Sequence, residues 1–156
     1  MKYLINERQY NLIKEDKELS FPFVMFNNDW DMVLSVMKGR PFHIQGDLDL
    51  YKSKVKSLGS LKSVGGNLYL HNSKILSLGD LEYVGGDLDL YNTKLHSLGN
   101  LKSVGGYLYL AHSEVESLGD LEYVGGSLYL RNSPLSEKYS EEEIRQMVDI
   151  KDEIKS

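Results

Sequence analysis

The sequence contains no cysteine, three prolines and one tryptophan among its 156 residues. Without cysteine, this chain can form no disulfide, thiolate metal site or cysteine nucleophile. No run approaches the roughly 18 apolar residues that a membrane-spanning helix needs, and Met1–Tyr3 leads into a polar stretch rather than an apolar signal sequence. The basic surplus typical of nonspecific nucleic-acid binding is also missing, since the net charge is −5. We therefore expect a cytoplasmic protein that binds neither membrane nor nucleic acid.

The residue types that are present are unevenly distributed along the chain. Of the 14 glycines, 13 lie between Gly46 and Gly126, whereas all four phenylalanines, the tryptophan and all five methionines lie outside that stretch. This shift divides the chain into three segments within one structural domain. We predict a helical N-terminal cap with a half-rung in residues 1–45, a solenoid in 46–135 and a C-terminal capping helix in 136–156.

The middle segment is a tandem repeat with a fixed period of 20 residues. Four repeats and a truncated fifth begin at Gly46, Gly66, Gly86, Gly106 and Gly126. Each keeps apolar residues at the same six places, which in the third repeat are Leu88, Leu90, Leu95, Leu98, Leu101 and Val104. A period of this length is typical of a solenoid, in which each unit buries its apolar face against its neighbours.

One stretch of each repeat alternates between apolar and polar residues. In the third repeat, Leu88 and Leu90 alternate with Asp87, Asp89 and Tyr91. This period of two predicts a short strand with its leucines pointing inward. Strands of successive repeats would then pair in parallel about 4.8 Å apart. The rest of the repeat is too short and glycine-rich for a standard helix, so we expect turns or extended chain there.

The repeat resembles the leucine-rich repeat, L-x-x-L-x-L-x-x-N-x-L, in its shortest class of about 20 residues. The matching frame is Leu81-x-x-Val84-x-x-x-Leu88-x-Leu90-x-x-Thr93-x-Leu95-x-x-Leu98, and the resemblance covers about residues 42–135. It implies an α/β fold, a leucine-rich-repeat-like solenoid of about five rungs with parallel strands and helical caps. A small β-helix with a similar core is the alternative.

The repeat departs from that family at the asparagine position, which a hydroxyl residue fills in every repeat. These residues are Ser53, Ser73, Thr93, Ser113 and Ser133. We expect the stacked hydroxyls to bond the turn backbone, as the asparagine ladder of the family does.

The Gly-Gly-x-Leu-x-Leu-Tyr form of the repeat is also similar to repeat proteins of large tailed bacteriophages and of bacteria. That resemblance implies the cytoplasm of a bacterial host if the protein is viral. It motivates the hypothesis that the protein binds and inhibits a host protein.

The N-terminal flank contains two predicted helices. Asn6-x-x-Gln9 is a plausible helix start, followed by a polar helix through about Glu18. A second helix is expected from about Asp29 to Lys38, closed by a glycine at position 39. Trp30, Val33, Leu34 and Met37 would share one face, with Met32 and Val36 elsewhere, as expected of a buried helix. After it, residues 41–45 align with the Leu-Lys-Ser-Val-Gly part of a repeat and place Ile44 at the valine site.

The C-terminal flank begins with a capping box, Ser140-x-x-Glu143. A helix should run from about Glu141 to Lys151 or beyond. We expect it to bury Ile144, Met147, Val148 and Ile154.

The outward residues of the predicted strands are rich in tyrosine and aspartate. They form three columns along the stack, namely Asp47, Asn67, Asp87, Tyr107, Ser127; Asp49, Tyr69, Asp89, Tyr109, Tyr129; and Tyr51, His71, Tyr91, Ala111, Arg131. We call these columns the strand face. Tyrosine is enriched at protein interfaces, although the same residues also suit an exposed β-ladder. The predicted partner-binding residues are Asp49, Tyr51, Tyr69, His71, Asp87, Asp89, Tyr91, Tyr107, Tyr109, Tyr129 and Arg131.

A second column, in the return part of the repeat, alternates in charge. It consists of Lys62, Glu82, Lys102 and Glu122, which we call the charge ladder. Opposite charges on neighbouring rungs attract, and like charges would repel. We therefore assign the charge ladder to register and solubility.

Signals for catalysis and for metal binding are weak. The four histidines, His43, His71, His96 and His112, occupy non-equivalent columns without metal-ligand spacing. Asp47-x-Asp49 and Asp87-x-Asp89 are too far apart along and between strands for a calcium cage. The Asp89–His71–Tyr91 neighbourhood lacks the water-excluding pocket that acid–base chemistry requires. We predict no catalytic residue, metal or cofactor.

The sequence thus predicts a non-enzymatic protein-binding module that uses the strand face. A carbohydrate-binding module and a structural subunit are the alternatives. Part of the Phe21–Lys38 segment is an alternative partner surface, and the protein is expected to be a monomer or a homodimer through its caps.

Overall fold

Each repeat forms two short strands, one in each of two parallel sheets. The structure is a computed structural model that describes residues 5–14 and 19–156. With strands numbered in chain order, the seven-stranded sheet is β1 (Leu19–Pro22), β2 (Phe42–Gln45), β4 (Leu61–Val64), β6 (Tyr83–Val84), β8 (Ser103–Val104), β10 (Tyr123–Val124) and β12 (Asp149–Ile150). The six-stranded sheet is β3 (Leu48–Asp49), β5 (Leu68–Tyr69), β7 (Leu88–Asp89), β9 (Leu108–Tyr109), β11 (Leu128–Tyr129) and β13 (Ile154–Lys155). The fold is α/β, with strands stacked in sequence order as in a repeat solenoid.

The six-stranded sheet contains the strands predicted from alternation. The other sheet lies where only turns or extended chain are expected, because two-residue strands such as Tyr83–Val84 are too short to show an alternating pattern. Isolated parallel bridges, including Ser97 with Ser117, add further contacts between successive repeats. The first repeat thus pairs with the second, and the third with the fourth, at a third place besides the two sheets.

The core is formed by identical residues stacked in register. Leu88 pairs with Leu68 on one side and Leu108 on the other, and Val84 lies between Val64 and Val104 in the same way. The leucines and valines at these positions are at most 1% exposed. Burial of a leucine side chain contributes about 1.5–3 kcal/mol, so the repeated apolar set accounts for the fold of the stack.

The turn after each six-stranded-sheet strand requires a left-handed residue followed by a hydroxyl residue. Asn72 and Asn92 have φ of 58° and 53°, and asparagine tolerates this region better than most residues. The hydroxyls of Thr93 and Ser113 donate to the carbonyl oxygens of Leu90 and Leu110 at 2.8 and 2.6 Å. The predicted hydroxyl-to-backbone bonding is confirmed at these two positions.

The Gly-Gly pairs allow neighbouring rungs to approach closely. A Cβ added at Gly105 would overlap the carbonyl oxygen of Gly85, and one at Gly85 would overlap that of Gly65. Any larger residue would force the rungs apart, which explains why glycine recurs at this point of the repeat.

The helix predicted at the N-terminus begins where expected. Helix α1 (Glu7–Lys14) starts after Asn6, whose side chain accepts a bond from the Gln9 amide at 2.9 Å while Gln9 accepts one from the Asn6 amide at 2.8 Å. The predicted end near Glu18 lies outside the described residues. Gln9 also donates from Nε2 to the Met25 carbonyl at 2.6 Å, which joins α1 to the next segment.

Helix α2 (Trp30–Met37) matches the second predicted helix. Asp29 is its N-cap, Lys38 takes the left-handed C-cap conformation and Gly39 follows with φ of 79°. Trp30, Met32, Val33 and Met37 are buried, whereas Leu34 and Val36 are partly buried.

The apolar segment before α2 forms a strand followed by a short 3-10 helix. Strand β1 pairs with β2 in parallel, and the 3-10 helix spans Phe23–Phe26. Phe21 packs against Phe26 and Phe42, with ring centroids 4.8 and 5.7 Å apart. Ile44 pairs with Val64, which confirms the predicted alignment of residues 41–45 with the repeat.

The C-terminal prediction is wrong beyond residue 147. The capping box at Ser140 and Glu143 is present, but helix α4 (Glu141–Met147) is short and a further helix, α3 (Pro134–Lys138), precedes it. Residues 149–155 leave the helix because β12 and β13 extend both sheets by another layer.

Side-chain burial follows this change of path. Ile144 and Val148 are buried and Ile154 is partly buried, as expected, whereas Met147 is 46% exposed. Among the residues described, no helix is both long enough and apolar enough to cross a membrane.

Candidate functional site

The middle column of the strand face is aligned by β-pairing. Asp49 pairs with Tyr69, Tyr69 with Asp89, Asp89 with Tyr109 and Tyr109 with Tyr129 in successive strands of the six-stranded sheet. Because the neighbouring leucines point inward, these side chains all point to the outer side of the sheet. The five predicted residues of this column therefore lie side by side.

The column has one further member that the repeat pattern does not reveal. Lys155 in β13 pairs with Tyr129, and its Nζ lies 5.1 Å from the centroid of the Tyr129 ring. The pKa of Lys155 is raised, chiefly by its hydrogen bond with Glu153 and then by Tyr129. The Ile150-x-x-x-Ile154 spacing, equal to Val124-x-x-x-Leu128, is the sequence signal that could have found this layer.

Three tyrosines cluster toward the C-terminal rungs. Tyr109 and Tyr129 stack with centroids 4.7 Å apart and planes at 19°, and Tyr107 meets Tyr129 edge-on at 6.3 Å. Burial of Tyr109, followed by the nearby charge of Asp87, raises the pKa of its hydroxyl. The Tyr109 hydroxyl therefore stays neutral to higher pH than that of an isolated tyrosine.

An aromatic and acidic group occupies the N-terminal rungs. Tyr51 stacks on His71 with centroids 4.3 Å apart, and Tyr69 meets the same imidazole edge-on at 6.4 Å. Asp89 Oδ2 lies 3.1 Å from His71 Nδ1, which makes an ion pair when the imidazole is protonated. The structure thus brings four of the predicted residues together.

The aspartates of the strand face also bond the backbone. Asp49 and Asp89 accept from the amides of Tyr51 and Tyr91, two residues on, at 3.0 and 2.9 Å. Asp87 accepts from the amide of Tyr107 in the next rung at 2.8 Å. These bonds fix the carboxylates in place and give Asp87 a structural role between rungs.

Two predicted residues are less integrated. Tyr91 is 42% exposed and meets His112 edge-on at 5.3 Å rather than another member of the set. Arg131 forms no ion pair or ring contact with any residue in the described part of the chain. His112, which is not among the residues predicted from sequence, contacts the Tyr91 ring.

The charge ladder lies on the outer side of the seven-stranded sheet. Glu82 contacts Lys62 at 3.2 Å and Lys102 at 2.8 Å. These two lysines lower the pKa of Glu82, chiefly through the hydrogen bond from Lys102, and Glu82 in turn raises the pKa of Lys102. The predicted pairing between neighbouring rungs is confirmed for these three residues.

The strand face offers contact chemistry rather than an enclosed reaction centre. The His71 and Asp89 side chains are 28% and 23% exposed, and the Tyr109 and Tyr129 rings stack on one another at the outer side of the sheet. Within residues 5–14 and 19–156, no three histidine, aspartate or glutamate side chains are grouped so that they could hold a metal ion.

Comparison with known proteins found no relative: no family model, curated protein or solved structure matches the chain.

Proposed function

We propose that the protein is a non-enzymatic binding module whose strand face contacts another protein. The observation that carries the proposal is the ordering of the aromatic rows, in which Tyr109–Tyr129 and Tyr51–His71 are stacked at 4.7 and 4.3 Å. Side chains already fixed by stacking lose little conformational entropy on binding. Their polar tips and the fixed carboxylates then supply directional hydrogen bonds.

The contrast with the seven-stranded sheet supports this choice of surface. On that sheet, Glu82 is neutralised by two lysines of the neighbouring rungs. On the strand face, three tyrosines, Tyr51, Tyr91 and Tyr107, are each at least 40% exposed, whereas the seven-stranded sheet has one such tyrosine, Tyr83. A partner gains most from groups that are ordered but not already satisfied within the protein.

The geometry favours a protein partner over a sugar. Sugars stack on open faces of aromatic rings, and one face of Tyr109 and one face of Tyr129 are covered by each other. The same holds for the sides of Tyr51 and His71 that face one another. Ring edges and hydroxyls remain, which suit protein backbone and side-chain contacts.

The Phe21–Lys38 segment offers less apolar surface for a partner or a homodimer. Phe21, Phe26 and Trp30 are at most 4% exposed, and Val24 is the large apolar exception at 67%. Trp30 Nε1 donates to the Ser57 carbonyl at 3.4 Å, so this segment packs on the first repeat. We propose that it and the α3–α4 region act as caps of a leucine-rich-repeat-like solenoid of about five rungs.

Affinity capture from the native host, with the tagged protein as bait, tests the proposal. We expect one protein partner that Tyr69→Ala, Tyr109→Ala and Asp89→Lys each release. The matched control is Tyr83→Ala, which removes a 48% exposed tyrosine from the seven-stranded sheet. Retention of the partner by all three variants would refute the strand face and move attention to Phe21–Lys38.

Identification of the captured partner also tests the hypothesis drawn from the bacteriophage resemblance. A bacterial host enzyme or regulator whose activity falls on binding would support an inhibitor. If a glycan array instead gives specific binding that depends on Tyr109, the protein partner is wrong and the carbohydrate alternative takes its place.

A further inference from the structure

A second surface, which adjoins the strand face at His112, carries an unexplained cluster of lysines. Along one side of the stack, a groove of about 630 Å³ is lined by residues that include Lys54, Lys56, Lys74, Leu76 and Lys94. We call it the lysine groove. Its volume lies within the range of about 300–1,000 Å³ that is common for ligand sites.

The lysines stack on one another without intervening carboxylates. Lys54, Lys74 and Lys94 occupy the same place in three successive repeats, and the Lys74 amide donates to the Ser53 carbonyl of the preceding rung at 3.0 Å. Neighbouring rungs are about 4.8 Å apart, so these ammonium groups repel one another. The charge ladder, by contrast, alternates in sign at every rung. The lysine column therefore departs from the pattern that the same protein uses to neutralise charge.

The groove lysines also differ from those of the charge ladder, because they form no ion pair with a carboxylate of the described residues. Elsewhere, Lys62 and Lys102 pair with Glu82, and Lys151 pairs with Asp149 at 2.8 Å. Of the residues that the structure describes, none forms an ion pair with Lys54, Lys56, Lys74 or Lys94. Four positive charges are thus left available to an external anion.

The groove has an apolar and a polar element beside its charges. Leu76 is 54% exposed where the equivalent residues are Lys56, His96 and Glu116. The Asn92 side-chain amide donates to Asn72 Oδ1 at 2.6 Å, and both residues line the groove. An occupant can therefore combine carboxylates for the lysines with an apolar side chain for Leu76.

We propose that the lysine groove is a second binding surface, which takes an extended acidic segment of a partner protein. Two rung steps separate Lys54 from Lys94, or about 10 Å, and alternate side chains of an extended segment repeat about every 6.8 Å. Two carboxylates on one side of such a segment fit within the length of the lysine column. In the fourth repeat Glu114 replaces lysine, so the acidic part of the segment ends there.

A protein segment fits these features better than nucleic acid does. A phosphate backbone continuing along the groove would meet Glu114, which belongs to its lining, and the whole chain carries a charge of −5. Neither feature suits a nucleic-acid surface, which needs a continuous basic footprint. The exposed Leu76 adds an apolar contact that a phosphate backbone does not use.

Fluorescence anisotropy with a labelled ten-residue peptide tests the proposal on the full chain. The peptide carries glutamate at alternate positions and two leucines, and a peptide with lysine in place of glutamate is its negative control. We expect binding of the acidic peptide that weakens as salt rises. Lys74→Gln with Lys94→Gln should weaken it about fivefold or more, from two exposed pairs of up to about 1 kcal/mol each.

The matched control variant is Lys138→Gln with Lys151→Gln, which changes the net charge equally outside the groove and should leave the affinity unchanged. Equal loss in both variants, or no binding of the peptide, would overturn the proposal. Tighter binding of a single-stranded oligonucleotide would overturn it in favour of nucleic acid. The protein's mass in solution gives a further test. If the mass rises with concentration, and Lys74→Gln with Lys94→Gln restores the monomer mass, the groove mediates self-association and the proposal is overturned. Tyr109→Ala should not affect peptide binding, so this test and that of the strand face fail independently.

Discussion

The outer faces of the two sheets differ in how their polar groups are satisfied, although they alternate along every repeat. On the seven-stranded sheet, Glu82 contacts Lys62 and Lys102, so that its charge is compensated within the protein. On the six-stranded sheet, tyrosines stack on one another, and Tyr51, Tyr91 and Tyr107 remain at least 40% exposed. In the function proposed above, the first face maintains the stack and the second contacts a partner.

Both faces depend on the close approach of neighbouring rungs at the Gly-Gly pairs. A substitution that disturbs this approach should cause the largest loss of stability. In Gly105→Ala the new Cβ would overlap the Gly85 carbonyl oxygen. Since backbone must move in both sheets, we expect a loss of about 3 kcal/mol or more in unfolding free energy. Urea denaturation measures it.

Gly99→Ala is the matched control for that variant. Gly99 has φ of 57° but nothing within 4 Å of an added Cβ, so only backbone strain of about 1–2 kcal/mol is expected. Equal losses in the two variants would mean that the approach of the rungs is less tight than the structure has it.

Inward and outward neighbours on one strand provide the next test. Leu108→Ala removes a buried side chain and should cost about 2–5 kcal/mol. Tyr109→Ala, on the outer side of the same strand, removes one stacked ring pair and should cost about 0.5–1.5 kcal/mol. The two midpoints of chemical denaturation decide this. A greater cost for Tyr109→Ala would make the tyrosine rows part of the fold rather than a display surface.

The charge ladder should give the smallest effect, visible mainly through pH. Lys102 and Lys62 lower the pKa of Glu82 below its ordinary value of 4.5. The carboxylate therefore stabilises the folded state above that value, and the contribution is lost as pH falls through the lowered pKa. Glu82→Gln should be slightly less stable than the parent protein at pH 7.

Thermal denaturation of both proteins from pH 2 to pH 7 checks the expected convergence at low pH. Added salt should narrow the gap at pH 7, because exposed ion pairs are screened. A gap that persists in acid would mean that the amide perturbs packing instead of removing an ion pair.

The repeat period accounts for most of what could be predicted. Leu88 and Leu90 show the strand of the six-stranded sheet through alternation, and Gly-Gly spacing sets the register of every rung. The strands of the seven-stranded sheet were missed because Tyr83–Val84 is too short for a periodic signal. Pairing with neighbouring rungs, a tertiary effect, decides their conformation.

The ends of the stack show the limits of local patterns. The capping box at Ser140 predicted where α4 begins, yet α4 ends at Met147 because residues 149–155 pair with β10 and β11. The repeat period predicts that the residues of the middle column lie side by side. It does not predict Lys155, which joins the column because β13 adds a further strand to the sheet. The repeat pattern does not specify side-chain conformation. It therefore cannot predict which tyrosine rings stack on one another or which of them stay exposed.

The affinity of the captured partner tests the central claim most directly. Isothermal titration calorimetry should compare Tyr109→Ala, from the strand face, with Tyr83→Ala, from the outer side of the seven-stranded sheet. We predict a dissociation constant at least about tenfold larger for Tyr109→Ala, equivalent to about 1.4 kcal/mol, and no change for Tyr83→Ala. An unchanged constant for Tyr109→Ala, or a larger effect of Tyr83→Ala, would contradict the assignment of binding to the strand face.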